Sequence, residues 1–115
     1  MVITKRDTPP LAPLTAAVFH ILLALSDGPL HGYAIMKAVD AAAGPALHMG
    51  PGTIYGSIQR MEAAGLVTEA GSAKGGKRRL FDLTALGRRA LTEESARLAR
   101  LSDLVRTKGL APREA

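Results

Sequence analysis

A chain of 115 residues, 47% hydrophobic and 22% charged, supports one compact domain and is too short for a second. It has no cysteine, which excludes disulfide scaffolds, thiolate metal sites and cysteine nucleophiles. No apolar run reaches the roughly 18 residues of a membrane span. The formal charge of +5 is lopsided: residues 1–52 carry three basic and three acidic groups, residues 53–115 twelve and seven. A surplus confined to one half points to a polyanionic partner rather than to a fold.

Residues 1–13 hold Pro9, Pro10 and Pro13 without periodicity and read as a loose arm. Lys5 and Arg6 before the apolar stretch Ala16–Leu25 imitate a signal peptide. His20 interrupts that stretch, however, and cleavage would remove an element the domain needs. Thr15 can cap a helix running to Ser26, whose apolar face is Val18, Ile21, Leu22 and Leu25. Asp27-Gly28-Pro29 stops it. A second helix starts near His31-Gly32, turns Ala34, Ile35, Ala38, Val39 and Ala42 inward, and closes at Gly44-Pro45. Leu47-His48-Met49 reads as a short extended piece.

Gly50-Pro51-Gly52 opens a third helix, with Pro51 at the first helical position, where its missing N–H costs nothing. Ile54, Ile58 and Met61 form its inner stripe and Gly65 caps it. The period then changes. Leu66–Ala70 and Arg79–Leu83 are strand-like, and the Gly71–Arg78 segment between them makes a long basic hairpin tip. Thr84 caps a last helix reaching roughly Lys108. The expected fold is mainly α with a small β-hairpin: a winged helix-turn-helix over 14–83, a C-terminal dimerisation helix over 84–108, and a tail.

Chemistry follows from this layout. A helix fits the major groove of duplex DNA, and its N-terminal residues reach deepest. Gly52, Gly56 and Ser57 allow close approach, Thr53, Ser57 and Gln59 offer hydrogen bonds to bases, and Tyr55 and Arg60 suit phosphates. Lys74, Lys77, Arg78 and Arg79 form a basic wing for the backbone or minor groove. With two Tyr, two Phe and no Trp, a stacking platform for single strands is not expected. On the last helix Leu91, Leu98, Leu101 and Val105 repeat at nearly 3.5 residues, broken at Glu94 and flanked by Leu86 and Leu104. A partner helix is the natural cover for the outer part of this stripe, giving a homodimer. Glu93 stands four residues before Arg97, a favourable surface pair.

Catalysis is not indicated. His20, His31 and His48 are scattered, without a metal-ligand spacing. His20 reads as a satisfied core or boundary histidine and His31 as a cap. No serine has the flanking of a nucleophile elbow, and Gly50-Pro51-Gly52-Thr53 lacks the lysine and glycine spacing of a phosphate loop. No cofactor is called for. The competing reading is a winged-helix module that binds protein instead of DNA, since the third helix shows Arg60 as its one charge on the presented face.

The residues also carry a resemblance. Leu14–Leu25, then Gly28-Pro29-Leu30-His31-Gly32-Tyr33-Ala34-Ile35, resembles the opening of PadR-family transcriptional regulators. So do Gly50–Tyr55, Met61–Val67, and Phe81-Asp82-Leu83-Thr84 with Gly87-Arg88. The likeness covers about residues 14–108. It implies a cytoplasmic homodimeric repressor on palindromic operators, in some members released by a phenolic or drug-like ligand. The single helix after the wing is similar to the smaller subfamily. On this likeness Gly52, Thr53 and Tyr55 fall on the recognition-helix motif, and Arg78 and Arg79 on the basic strand after the wing. Gly56 stands where many relatives place a basic residue, Leu80-Phe81 replaces a frequent aromatic pair, and the missing Trp removes a stacked-indole pocket. An aromatic effector would have to use aliphatic walls near Phe19 or Tyr33.

Overall fold

The structure, a computed structural model, describes residues 12–73 and 78–111. Among these residues the chain forms four α-helices and a three-stranded sheet. Helix α1 spans Ala16–Ala24 and tightens into a 3-10 turn, Leu25–Asp27, so the helical segment ends one residue beyond the expected Ser26. Strand β1 is Leu30–His31, α2 is Gly32–Ala43, and a 3-10 turn occupies Gly44–Leu47. Helix α3 follows at Pro51–Ala63, β2 at Val67–Ala73, β3 at Arg78–Leu83 and α4 at Ala85–Thr107.

The helix starts are set by local hydrogen bonding. The Val18 N–H donates to Thr15 Oγ1 at 3.2 Å and the Ala34 N–H to His31 Nδ1 at 3.2 Å, each satisfying a first-turn donor. Pro51 occupies the first turn of α3 as its fixed φ favours. The end of α3 is closed by Gly65 at φ 79°: the Gly65 N–H donates to the Glu62 carbonyl and the Leu66 N–H to the Met61 carbonyl. These two bonds satisfy carbonyls that the last turn leaves open.

The sheet has the order β1-β3-β2, antiparallel throughout. The strand β1 was not foreseen. It is two residues long, pairing Leu30 with Phe81 and His31 with Leu80, and so has no period to detect. The hairpin strands run further than expected, to Ala73 and from Arg78. Between Glu69 and Ser72 the register slips by one residue, with Gly71 at φ 104° in the bulge. Leu47 ends a 3-10 turn instead of opening an extended piece, and the extended dihedrals begin at His48.

The core joins Ile21, Leu22 and Leu25 of the first helical segment, Ile35 and Val39 of α2, Ile54, Ile58 and Met61 of α3, and Val67 and Phe81 of the sheet. Met49, Ala90 and Leu91 complete it. It is mainly aliphatic, as four aromatic residues in the whole chain require. Ala34 and Ala38 are half-buried, but Ala42 is exposed where α2 runs out beyond the core. The architecture is a winged helix-turn-helix followed by a long C-terminal helix, about 35 Å at 1.5 Å per residue. That helix outlasts the core beneath it: residues 98–110 are exposed along their whole length.

Candidate nucleic-acid interface

The presented face of α3 consists of Gly52, Thr53, Tyr55, Gln59 and Arg60, all exposed, with Gly56 half-buried among them. Its inner stripe is Ile54, Ile58 and Met61, as the 3.6-residue period demands. Ser57 is the exception to the expected face. It is 5% exposed, and its hydroxyl accepts a hydrogen bond from Arg60 Nη2 at 3.2 Å. Ser57 sits between Ile54 and Ile58 on the side turned toward α1, where Thr15, Val18 and Leu66 line a groove with it. It therefore orients Arg60 and is not available to a base edge.

Tyr55 and Gly32 explain each other. The Tyr55 ring lies so close over the start of α2 that a Cβ on Gly32 would sit 2.5 Å from Cε1, Cζ and the hydroxyl oxygen. The absence of a side chain at position 32 is what lets the ring settle there, still 47% exposed. Beside it the exposed Tyr33 stacks with His31 at 6.5 Å between centroids and carries Lys37 Nζ at 5.6 Å from its ring centre. Sequence reasoning names Tyr33 only as an effector wall and leaves Lys37 unassigned.

The wing is reached by β2 and β3. Lys74 and Lys77, and the Arg78 side chain, lie outside the described residues. Arg79 is described, and it is engaged: Nη2 lies 3.1 Å from Glu69 Oε2 and 3.8 Å from Glu62 Oε2. The Glu69 hydrogen bond, ahead of the remaining charge interactions, holds the Arg79 pKa above its ordinary value. Arg79 thus links the sheet to α3 while its side chain remains 56% exposed.

Helix α4 divides in two. Leu91, expected in a dimer interface, is 7% exposed and belongs to its own core, because the first turns of α4 pack on the domain. Leu98, Leu101, Leu104 and Val105 are 38%, 44%, 50% and 39% exposed. The expected Glu93–Arg97 pair is replaced by two others, Arg89–Glu93 at 2.7 Å and Arg97–Glu94. Burial decides this. Glu94 is 6% exposed beneath the start of α1, so the nearest cation, Arg97, is drawn to it as a two-pronged partner with Nε 3.0 Å from Oε1.

Arg97 holds the Glu94 carboxyl below the ordinary value near 4.5, against the opposing effect of burial, and the Leu14 backbone N–H adds to the lowering. A group that binds its proton more weakly when folded stabilises fully above its unfolded pKa, and that contribution drains away as pH falls through the folded pKa. Acid unfolding followed by circular dichroism should therefore fall more steeply for the wild type than for Glu94→Gln, the two curves converging at the acid end. Parallel curves would contradict the pairing.

His20 is not satisfied as expected. It is half-buried, and its enclosed Nδ1 has no hydrogen-bond partner among the described residues. It lines a cavity of about 300 Å³ with Leu14, Ala16, Phe19, Glu94, Arg97 and Leu98. Tyr33 is absent from those walls and stands in the α2 rim instead. Among the described residues no group of three or more His, Asp or Glu could hold a metal ion, and no helix is long and apolar enough to cross a membrane.

The comparisons agree with this layout. The family model described as transcriptional regulator PadR-like matches residues 21–93. The transcriptional regulator Rv3488 of Mycobacterium tuberculosis is 34% identical over 88 residues, covering 76% of this chain and 79% of that one. An uncharacterized 37.1 kDa protein in transposon TN4556 of Streptomyces fradiae is 46% identical over 85 residues, 74% of this chain. The aligned segment amounts to only 24% of that longer protein. Among solved structures, a PadR family regulator from Clostridium difficile superposes with a TM-score of 0.68 at 22% identity, covering 81% of this chain and 97% of that one. Bacillus subtilis PadR, solved in complex with operator DNA, gives 0.61 at 23% identity over 69% of this chain and 46% of that one. This chain belongs to the PadR-like family of transcriptional regulators.

Proposed function

We propose that this chain is a homodimeric, cytoplasmic repressor that reads a palindromic operator, with α3 in the major groove and the wing on the flanking backbone. The observation that carries the reading is the α3 face itself. Its presented face offers Gly52, Thr53, Gly56 and Gln59 without one acidic group, so the helix can approach a groove closely and without repulsion. The operator-bound state of Bacillus subtilis PadR supports the same use of the fold. In this reading Thr53 and Gln59 supply base contacts, Arg60 and Tyr55 phosphate contacts, and Lys74, Lys77 and Arg78 the wing.

Dimerisation through the outer half of α4 covers Leu98, Leu101, Leu104 and Val105, which the protomer leaves in water. Two recognition helices then stand about one DNA turn apart, roughly 34 Å. Where a small aromatic ligand releases the DNA, the cavity beside Phe19 and His20 is its place, since it borders both α1 and the dimer helix.

The test is a titration of the protein with the duplex upstream of its own gene at increasing salt. If a dimer neutralises about seven phosphates, log K falls against log salt with a slope near −6. No binding at low salt, with or without added phenolic ligands, would overturn the reading.

A further inference from the structure

Arg79 projects from the same face of the sheet as the core residue Phe81, at its exposed end, with the side chain 56% exposed. Phe81, two residues along β3, is 1% exposed in the core, and alternation puts Arg79 on the same side. Glu69 of β2 is the register partner of Phe81, so it too projects from this face. Arg79 thereby lies over the Phe81 ring, 5.1 Å from guanidinium carbon to centroid, and reaches the carboxylates of Glu69 and of Glu62 in the last turn of α3. One side chain touches the recognition helix and both wing strands.

We propose that Arg79 is a positioning residue that fixes the wing relative to the recognition helix, and is not a phosphate contact. The proposal rests on the DNA-binding reading above. Two observations favour it over a contact role. Both carboxylates lie at Nη2, so a phosphate approaching the 56% exposed guanidinium would meet their negative charge beside it. The planar Arg fork, lying over the Phe81 ring, suits bridging two acceptors at fixed angles, which an ammonium does not reproduce.

Four variants separate the roles: Arg79→Ala, Arg79→Lys, Glu62→Gln and Glu69→Gln. Each is titrated against the upstream duplex and a scrambled duplex of equal composition, at several salt concentrations, with helix content checked by circular dichroism. For a positioning residue, Arg79→Ala and Glu62→Gln each weaken binding about fivefold, the scale of one partly exposed ion pair. The loss is confined to the upstream duplex, the salt slope is unchanged, and Arg79→Lys fails to restore affinity. The Arg79→Ala, Glu62→Gln double variant loses no more than Arg79→Ala alone, because the interaction that Glu62→Gln removes is already gone. A phosphate contact gives the reverse. Arg79→Ala then weakens both duplexes and lowers the slope by about one, while Glu62→Gln and Glu69→Gln tighten binding by freeing the cation.

Amide hydrogen exchange in the free protein keeps the two claims separable. Arg79→Ala and Glu62→Gln should speed exchange in β2 and β3 and leave α1 and α4 unchanged. If the wild type binds no duplex, the DNA reading fails while this exchange result still decides whether Arg79 ties the wing to α3. Unchanged exchange overturns the positioning role.

Discussion

Replacing Gly87 by alanine is expected to remove about 3 kcal/mol or more of stability, the upper range for forcing volume into a packed site. The added Cβ would lie 1.9 Å from the Leu66 carbonyl oxygen and 2.9 Å from its carbonyl carbon. Both are backbone atoms, so no rotamer change relieves the clash. Nor can that backbone move freely. The Leu66 carbonyl accepts from the Thr84 N–H at 3.1 Å, and the Thr84 hydroxyl donates to the Gly65 carbonyl at 2.5 Å. The same hydroxyl accepts from the Gly87 N–H at 3.0 Å. The end of α3, the strand exit and the start of α4 are one interlocked joint, and Gly87 is the point of closest approach. Denaturant unfolding measures it: the midpoint should drop with little change in slope. Gly52→Ala is the control, since a Cβ there meets nothing within 4 Å. A Gly87→Ala protein as stable as the wild type would show that the joint is looser than drawn.

Placing aspartate at Leu98 and Leu101 is expected to leave the fold intact and cost at least about 100-fold in operator affinity. Both residues are substantially exposed in the protomer, so charge there breaks no core contact. In the dimer they would be buried, and a carboxylate without a partner is costly there. The protein should then run as a monomer in analytical ultracentrifugation. Losing the second half-site removes the gain from linked binding, which spans about two to four powers of ten. Retained dimerisation would move the interface off this stripe. Leu91→Asp is the contrasting case: it sits in the protomer's own core and should unfold the chain.

Much of this architecture was legible because the strongest signals are local. The Thr15 and Thr84 caps, Pro51 at the start of α3 and Gly65 at its end are satisfied by bonds within one turn. The inner stripes of α1 and α3 follow from period alone. What periodicity could not supply depends on which neighbour arrives. Ser57 reads as a face residue on a wheel, but α1 packs against that side and buries it. Leu91 and Leu98 belong to one seam, yet the core covers the first and ends before the second. Glu94, which reads as a break in the stripe, is buried on it with Arg97 as partner. Arg79 follows the basic tip and so reads as a wing residue; its contact with Glu69 over the Phe81 ring needs the register of Glu69 against Phe81, which no local pattern contains. The +5 charge is correspondingly more concentrated than a count suggests, because Arg79, Arg89, Arg97 and Arg106 are each held by a carboxylate.

The most direct test of the account is selection from a random duplex pool by the purified protein, followed by sequencing. A dimer reading DNA with two α3 faces predicts an inverted repeat, its half-sites about ten base pairs apart. Thr53→Ala or Gln59→Ala should then relax the preference at positions within each half-site. Recovery of no consensus, with the protein folded and dimeric, would contradict the account and leave the winged helix as a surface for another protein.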